Sequence, residues 1–328
     1  MDILSSILTI PEVAGSPVGA EVYRGLTATP KRLSPWLFYD DAGSRLFEAI
    51  TRLPEYYLTR TERGIFARYG EEILEYAGCA SDSALTMIEL GAGTAAKTGL
   101  LLRAAVHKQG AVHYIPIDVS ETALAEAKRK LESEIAGVRV APRVGDYTGG
   151  IAEIRCREQR RMVLYIGSSI GNFEPEDATN VLCEVRRRLS PGDWLLLGAD
   201  HVKDRQTLLR AYDDAAGITA EFNKNMLVRI NRELGADFNP KLFRHRARWN
   251  EPESRIEIYL ESVTAQTVGV PALDLEARFA AGETIHTENS YKFTADSIAE
   301  IVEPAGFRME RCWTDEHEWF GVYLAVSQ

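Results

Sequence analysis

A glycine loop that directly follows an acid is the first group of residues in this sequence whose types and spacing indicate chemistry. Glu89 and Leu90 are followed by Gly91, Ala92 and Gly93. Without a Cβ, the two glycines let the backbone approach a ligand, and a helix start behind them offers unpaired N–H groups to polar ligand atoms. The short apolar block before the loop is typical of a buried parallel strand. We therefore expect a strand, a ligand-binding turn and a helix here.

The spacing within this loop narrows the class of ligand. A dinucleotide fingerprint requires a third glycine where this sequence has Ala96, and the phosphate-loop signature is also missing. A Gly-x-Gly turn after Glu-Leu, with an acid near the end of the next strand, is the pattern expected of S-adenosylmethionine (SAM) binding. The alternative at this point is an ordinary strand-to-helix turn that binds nothing.

Further candidate binding residues fall at the ends of the next predicted strands. Asp118 ends the second strand, Asp146 and Tyr147 follow the third, and Gly167 follows the fourth. Ligands of open parallel sheets bind at the carboxyl ends of the strands. We expect Asp118 to accept the ribose hydroxyls and Asp146 to reach an adenine amino group, with Tyr147 stacked beside it. Either acid taken alone is also explained as a helix cap.

The elements that must position these residues alternate between strand and helix from residue 85 to about residue 200. The sequence predicts strands at 85–90, 112–118, 138–144, 162–166 and 194–198, with helices that include 94–106 and 174–189. Before them, a helix with cap-like chemistry is predicted to begin at Thr59-Arg-Thr-Glu62. This alternation is typical of a doubly wound parallel sheet.

The pattern changes after residue 200. Helices are predicted at 201–217 and 221–231, and antiparallel strands at 246–249, 255–263 and 265–270. A helix at 297–305 and an antiparallel edge pair at 307–313 and 319–326 then complete the first sheet. The fold class is therefore α/β, with a Rossmann-like, doubly wound, mostly parallel sheet and a discontinuous α+β accessory domain.

Composition limits the classes of function. The chain has 328 residues and a formal net charge of −10, which argues against a nucleic-acid-binding surface. The four cysteines form no Cys-x-x-Cys pair and the six histidines show no ligand spacing, so we expect no metal site and a reducing cytoplasm. No segment is typical of a signal peptide or a membrane span. A small-molecule substrate, with no nucleic-acid or membrane partner, fits best.

Several longer strings in the sequence are uncommon. These strings are Trp36-Leu-Phe-Tyr-Asp40, Thr51-Arg-Leu-Pro-Glu-Tyr-Tyr-x-Thr-Arg-Thr-Glu62, Glu89-Leu-Gly-x-Gly-Thr94, Gly167-Ser-x-Ile-Gly-Asn172, Arg210-Ala-Tyr-Asp-Asp-Ala-Ala-Gly217, Phe222-Asn-x-Asn225, Asn231-Arg-Glu-Leu234 and Thr287-Glu-x-Ser-x-Lys-Phe293. In these strings the sequence resembles, from end to end, a known family, the SAM-dependent histidine Nα-methyltransferases of ergothioneine biosynthesis. We expect a class I methyltransferase domain at 60–200 and 290–328, an accessory substrate-binding domain at 1–59 and 201–289, and a monomer. The resemblance implies three methyl transfers from SAM to the α-amine of L-histidine, giving hercynine.

The resemblance also implies roles for individual residues. The residues implied to hold SAM are Tyr39, Gly91, Gly93, Lys97, Asp118, Asp146 and Tyr147. Those implied to hold the amino-acid end of the substrate are Tyr56, Asn172 and Tyr212, of which Asn172 and Tyr56 are the catalytic candidates. Glu288 and Ser290 would bind the imidazole, and Gly167 and Ser169 would line the junction of the two ligands.

The residue types suit this chemistry. The amine must be neutral when it attacks, and an Asn carbonyl and a Tyr hydroxyl orient it without the carboxylate that would stabilise the ammonium form. Glu288 is suited to accept an imidazole N–H, and Ser290 to satisfy the other ring nitrogen. Ile258, within Arg255-Ile-Glu-Ile258, differs from the Met of some relatives beside the imidazole pocket. Ser169 and Tyr147 stand where Thr and Phe are common.

Other functions remain as alternatives at this stage. The nearest is an N-methyltransferase of the same fold that acts on another amino acid, such as a tryptophan derivative; Glu288 and Ser290 argue against an indole, which offers one donor and no acceptor. A nicotinamide-dependent dehydrogenase is disfavoured by Ala96. A noncatalytic SAM-binding module is disfavoured by the presence of Tyr56, Asn172 and Tyr212.

Overall fold

The computed structural model describes residues 16–80, 84–145 and 160–328. The described residues divide into two compact units. The first unit contains the described chain through Tyr56 together with Arg205–Asn250 and Ile256–Asn289. The second unit contains Tyr57–Asp204, Glu251–Arg255 and Ser290–Gln328.

The strands and helices of the described ranges have the following bounds. The strands, numbered in chain order, are β1 Lys31–Arg32, β2 Leu85–Leu90, β3 Val112–Asp118, β4 Val138–Val140, β5 Arg143–Val144, β6 Arg160–Tyr165, β7 Trp194–Asp200, β8 Phe243–Asn250, β9 Arg255–Ser262, β10 Gln266–Val270, β11 Leu275–Phe279, β12 Thr284–Tyr291, β13 Phe307–Thr314 and β14 Phe320–Ser327. The α-helices are Pro17–Thr27, Asp41–Ile50, Tyr57–Tyr76, Thr98–Gln109, Glu121–Glu134, Pro175–Arg187, Arg205–Tyr212, Ile218–Leu234 and Ala295–Val302. Short 3₁₀ helices cover Pro35–Phe38, Ser169–Asn172, Pro240–Leu242 and Pro271–Leu273.

The second unit is built on an eight-stranded sheet. Seven strands run in the order β13-β14-β7-β6-β2-β3-β4, and β5 also pairs with β3. β2 is parallel to β3 and β6, and β6 is parallel to β7, whereas β14 is antiparallel to β7 and β13. The strand order reverses between β2 and β6, which puts the topological switch point beside β2. The predicted doubly wound, mostly parallel sheet with an antiparallel edge pair is confirmed.

Burial explains why these strands are found where the sequence predicted them. All six residues of β2 and all seven of β7 are buried, as expected for strands covered by helices on both faces. Helix Glu121–Glu134 begins after Ser120, whose side chain caps it by accepting a hydrogen bond from the Ala123 N–H at 3.2 Å. The bounds predicted for β2 and β3 are confirmed residue for residue.

Several helix bounds shift by a few residues, as in the helix predicted at 94–106, which covers Thr98–Gln109, and two predicted elements differ more. The strand predicted at 138–144 is two short strands, β4 and β5, that both pair with β3. The helix predicted at 201–217 is shorter in the structure and begins later. β7 continues to Asp200, His201 forms an isolated parallel bridge to Phe293, and the helix covers only Arg205–Tyr212. Sheet pairing therefore includes His201, which propensity alone assigned to the helix start.

The first unit contains a four-stranded sheet in the order β1-β12-β9-β8 and an antiparallel hairpin of β10 and β11. The predicted strands correspond to β8, β9 and β10, whereas β11 and β12 were missed. β12 was not predicted because its sequence is polar. It buries Thr287, Asn289 and Ser290 at positions where an alternating strand usually carries apolar side chains. Among the described helices, none has the length and apolarity needed to cross a membrane.

Candidate active site

The glycine loop after β2 is held in a shape that only small residues adopt easily. Gly91 and Gly93 have φ angles of 65° and 51°, in the left-handed region. The N–H groups of Gly91 and Ala92 donate to the Ile117 carbonyl at 2.9 and 3.1 Å, which ties the loop to the end of β3. A Cβ added to Gly93 would meet no atom within 4 Å. The loop therefore has open space beside it for a ligand.

Asp118 lies against this loop, as predicted. Its Oδ2 accepts a hydrogen bond from the Gly93 N–H at 2.8 Å, and its Oδ1 accepts one from the Ser120 N–H at 2.9 Å. A carboxylate offers about four lone-pair sites, so each oxygen keeps the capacity to accept one ribose hydroxyl. The structure thus brings together Gly91, Gly93 and Asp118 and fixes the direction of the carboxylate.

Glu62 is a residue of this region that the sequence analysis missed. It was assigned to a helix start with cap-like chemistry, but the helix begins at Tyr57 and Glu62 is fully buried. Its Oε1 accepts the Gly167 N–H at 2.8 Å, and its Oε2 forms an ion pair with the Lys97 ammonium. Glu62 therefore links the lysine after the glycine loop to the loop that follows β6. One indication of its importance is present in the sequence, because Thr59-Arg-Thr-Glu62 is part of a string that carries the family resemblance.

A second buried acid, Glu89, supports the loop from within the sheet. It accepts hydrogen bonds from the Thr98 hydroxyl at 2.6 Å and from the Tyr114 hydroxyl. Burial raises the pKa of the Glu89 carboxyl to about 7, although both hydroxyls favour its charged form. Glu89 therefore joins the end of β2 to β3 and to the helix behind the glycine loop.

The segment from Gly167 to Asn172 follows β6, the strand next to β2 at the switch point. Gly167 and Ser168 have φ angles of 86° and 62°, so the chain turns sharply before the short helix Ser169–Asn172. The Ser169 hydroxyl donates to the Ile166 carbonyl at 3.3 Å. A Cβ on Gly167 would lie 2.8 Å from the Lys97 Nζ, which shows how closely this turn approaches the lysine.

Three tyrosines assigned to ligand binding lie in one aromatic cluster of the first unit. The ring centroids of Tyr56 and Tyr212 are 6.2 Å apart, and Phe47 lies 6.2 Å from Tyr56 and 5.9 Å from Tyr39. The Tyr212 carbonyl is within 2.8 Å of the His245 Nε2. Burial lowers the pKa of the His245 imidazole below its usual range, so the ring is held neutral in this contact.

The residues assigned to the substrate ring lie on two neighbouring strands. Ile258 is on β9 and is buried, and its carbonyl accepts a hydrogen bond from the Thr287 hydroxyl of β12 at 3.1 Å. Glu288 is half-buried on β12. Ser290, at the end of the same strand, is buried in the second unit, with its Oγ 2.8 Å from the Lys292 Nζ.

Two assigned residues lie outside the described ranges. These are Asp146 and Tyr147, so their predicted contacts with adenine stay predictions. Within the described ranges, no group of His, Cys, Asp and Glu side chains has the arrangement needed to hold a metal ion.

The donor set fits SAM. The loop of Gly91 and Gly93 gives close backbone approach, the Asp118 carboxylate suits ribose hydroxyls, and the Lys97 ammonium suits a carboxylate. The Lys97 side chain is 20% exposed, and its ammonium pairs with one oxygen of Glu62. An ammonium has three N–H donors, so Lys97 can also donate to a ligand.

Known proteins match the chain along almost its whole length. The family model described as "Histidine-specific methyltransferase, SAM-dependent" matches residues 18–327. A histidine N-alpha-methyltransferase of Mycolicibacterium smegmatis is 45% identical over 313 residues, which cover 95% of this chain and 96% of that protein. The protein of the same name from Mycobacterium tuberculosis is 44% identical, with 94% of each chain covered. Ergothioneine biosynthesis protein 1 of Schizosaccharomyces pombe is 29% identical over 90% of this chain, which covers 39% of that longer protein. The chain therefore belongs to the SAM-dependent, histidine-specific methyltransferase family, and SAM is its methyl donor.

Proposed function

We propose that this methyltransferase transfers three methyl groups from SAM to the α-amino nitrogen of L-histidine, giving hercynine, as the first step of ergothioneine biosynthesis. The observation that carries the proposal is the high identity, over nearly the whole of both chains, to two mycobacterial histidine N-alpha-methyltransferases. The likeness to a fungal ergothioneine biosynthesis protein supports the same pathway.

The proposed reaction is an in-line displacement, for which positioning and exclusion of water supply most of the rate. SAM supplies an electrophilic methyl group on a sulfonium. In the second unit, we assign Lys97 to the methionine carboxylate and Asp118 to the ribose hydroxyls, with Asp146 and Tyr147 assigned to adenine. Glu62 would hold Lys97 and the Gly167 N–H in place, since one carboxylate binds both. Tyr39 is assigned to the same cofactor by the resemblance alone.

The nucleophile must lose a proton before each transfer. We assign Asn172 and Tyr56 to the α-amine as the catalytic residues and Tyr212 to the amino-acid end, with Gly167 and Ser169 near the transferred methyl group. These groups are neutral, so they orient the amine without stabilising its ammonium form. The edge-on packing of Tyr56 against Tyr212 supports the assignment, because a ring fixed by neighbours holds its hydroxyl in a defined direction.

Recognition of the ring is assigned to Glu288 and Ser290. The Glu288 carboxylate accepts an imidazole N–H, and the Ser290 hydroxyl meets the other nitrogen. A site that hydrogen-bonds both edges of a ring rejects rings that lack one of the partners. Ile258 is buried on the strand next to β12, and its branched side chain is the position at which we expect ring selectivity to differ from relatives with Met.

Binding and product analysis test the proposal together. L-histidine, Nα,Nα-dimethylhistidine and L-tryptophan are titrated calorimetrically into the protein with S-adenosylhomocysteine present, and the SAM reaction is followed by mass spectrometry. We expect binding of the two histidine compounds and a product three methylene masses heavier, with fragments that locate the methyl groups on the α-nitrogen. Binding of tryptophan without histidine would instead support the methyltransferase of a tryptophan derivative and overturn the roles of Glu288 and Ser290.

Two further properties belong to the proposal. We propose that the enzyme works in a reducing cytoplasm, which the free state of Cys79, Cys183 and Cys312 supports. We also propose that it acts as a monomer. Light scattering coupled to gel filtration tests the second statement directly, since a dimer would double the mass.

A further inference from the structure

A buried network of charges lies beside Ser290 and has no role in the reaction described above. Its centre is the Asp200 carboxylate, which accepts hydrogen bonds from the Tyr57 hydroxyl at 2.8 and 3.0 Å. Two ammonium groups bind the same carboxylate, Lys203 at 2.6 Å and Lys292 at 3.0 Å. The side chains of Asp200 and Lys292 are 0% exposed and that of Lys203 is 4% exposed.

The two lysines donate their other hydrogen bonds to different acceptors. Lys203 donates to the His201 carbonyl at 2.5 Å and to the Tyr57 hydroxyl at 2.8 Å. Lys292 donates to the Ser290 Oγ at 2.8 Å. One carboxylate therefore faces two cations, and the second cation is directed at a hydroxyl assigned to the substrate. Charged groups are costly to bury, so a buried cation beside a residue assigned to the substrate is a candidate for function.

The lysine fixes how the serine hydroxyl can be used. An ammonium has donors and no acceptor, so the Ser290 oxygen must be the acceptor in their contact. One of its lone pairs then points at Lys292, and its own hydrogen points away from that nitrogen. A cation at this distance also polarises the O–H bond and makes the hydroxyl a stronger donor.

We propose that Lys292 is a positioning residue that holds the Ser290 hydroxyl as a hydrogen-bond donor and so selects a substrate ring with a neutral nitrogen lone pair. This inference rests on the proposed function, which assigns Ser290 to the imidazole. A neutral imidazole offers a lone pair on one nitrogen and an N–H on the other. An imidazolium ion offers only N–H groups and brings a positive charge close to the Lys292 ammonium, and the nitrogen of an indole also offers only an N–H, so neither can accept from the Ser290 hydroxyl and both are disfavoured at this edge.

The test compares Lys292→Met with Lys203→Met. Each variant removes one of the two ammonium groups on Asp200 and leaves a neutral pair of one carboxylate and one lysine, but only Lys292 contacts Ser290. Lys203→Met is therefore the matched control. Lys292→Arg keeps a cation and its donors, and Ser290→Ala removes the hydroxyl itself. Binding of S-adenosylhomocysteine to each variant verifies that the cofactor site is folded.

The measurement is kcat/KM for L-histidine and for 1,2,4-triazolylalanine between pH 5.5 and 8. The triazole ring stays unprotonated over this range, and both compounds carry the same α-amine, so the ratio of the two values isolates protonation of the imidazole. For the wild-type protein we expect the ratio to fall as the pH drops through about 6.5, the ordinary pKa of imidazole.

In Lys292→Met we expect KM for histidine at pH 8 to rise about tenfold with little change in kcat, because a charge-assisted contact is lost. The ratio should also lose most of its pH dependence, because the ammonium that repels an imidazolium ion is gone and the hydroxyl is free to rotate and accept its N–H. Lys203→Met should leave both unchanged, Lys292→Arg should restore them, and Lys292→Met should add nothing to Ser290→Ala.

An unchanged KM and pH dependence in Lys292→Met would overturn the inference, and so would an equal change in Lys203→Met. An additive effect of Lys292→Met and Ser290→Ala would overturn it as well, since the lysine would then act by another route. Failure of the wild-type protein to methylate histidine would overturn the proposed function, a result that does not depend on the variants. If Lys292→Met loses cofactor binding, the comparison of Ser290→Ala with Lys292→Arg decides in its place, because Ser290→Ala must reproduce the loss of pH dependence.

Discussion

The close packing of Glu62 against β7 makes Gly198→Ala a severe substitution. A Cβ at Gly198 would lie 2.1 Å from the Glu62 Oε1, and 3.2 Å from the Gly167 nitrogen and from a ring carbon of Phe320. Gly198 sits within β7, in register with Val322 of β14, so the strand cannot retreat without disturbing the sheet. The buried carboxylate must therefore move.

The cost follows from what that movement breaks. An oxygen displaced by about 1 Å can no longer accept a hydrogen bond from the Gly167 N–H, which lies at 2.8 Å in the structure. Loss of a hydrogen bond to a charged group costs about 1.5–3 kcal/mol. Overpacking adds about 1–3 kcal/mol. We expect the free energy of unfolding of the second unit to fall by about 4 kcal/mol in total.

Differential scanning calorimetry measures the loss. For a unit of this size, about 4 kcal/mol corresponds to a fall in Tm of roughly 10 °C. The matched control is Gly64→Ala on the exposed face of helix Tyr57–Tyr76, where an added Cβ would meet no atom within 4 Å. That substitution should raise stability by about 0.5–1 kcal/mol, since alanine favours a helix interior over glycine.

A Tm of Gly198→Ala within 2 °C or so of the wild-type value would refute the reasoning. A double variant, Gly198→Ala with Glu62→Ala, tests whether Glu62 is the group that clashes, because Glu62→Ala removes the oxygen that the new methyl group meets. The double variant should lose clearly less stability than the sum of the two single variants, because substitutions at sites in contact are not additive. Full additivity would show that Gly198 and Glu62 act independently.

The remaining predictions concern catalysis and pH. Asn172→Ala should lower turnover by about 100-fold while S-adenosylhomocysteine binds as before, measured by product formation and calorimetry; unchanged turnover would remove Asn172 from the site. The pKa of Glu89 is raised to about 7 from 4.5, so the folded state binds more protons than the unfolded state between these values, and stability should fall as pH rises through this window; Glu89→Gln should abolish that fall in urea unfolding followed across pH. Burial lowers the pKa of Lys203 to about 8 from 10.5, so the unfolded state binds more protons between these values, and stability should rise with pH there; the same rise in Lys203→Met would exclude this lysine as its source.

The local pattern of the sequence determined the parallel part of the second unit's sheet. Its buried strands are continuous apolar blocks, and their ends carry the glycines and acids that ligand binding requires, so β2, β3 and the positions of Gly91 and Asp118 could be predicted. The polar strand β12 could not, because its burial rests on Thr287 and Ser290 rather than on an apolar alternation. The start of the helix after β7 was misplaced for a related reason, since His201, the first residue of the predicted helix, instead pairs with the distant Phe293.

The order of elements, the glycine loop and the strings that mark the family can be read from the sequence, because these depend on local composition and spacing. Which distant charges meet depends on the tertiary structure. Glu62 and Gly167 are 105 residues apart and Tyr57 and Asp200 are 143 residues apart, yet each pair is hydrogen-bonded. Nothing in a local window distinguishes such an acid from a helix cap or a surface residue. Its role follows from burial, because a buried carboxylate must find donors and the fold alone determines which ones are within reach.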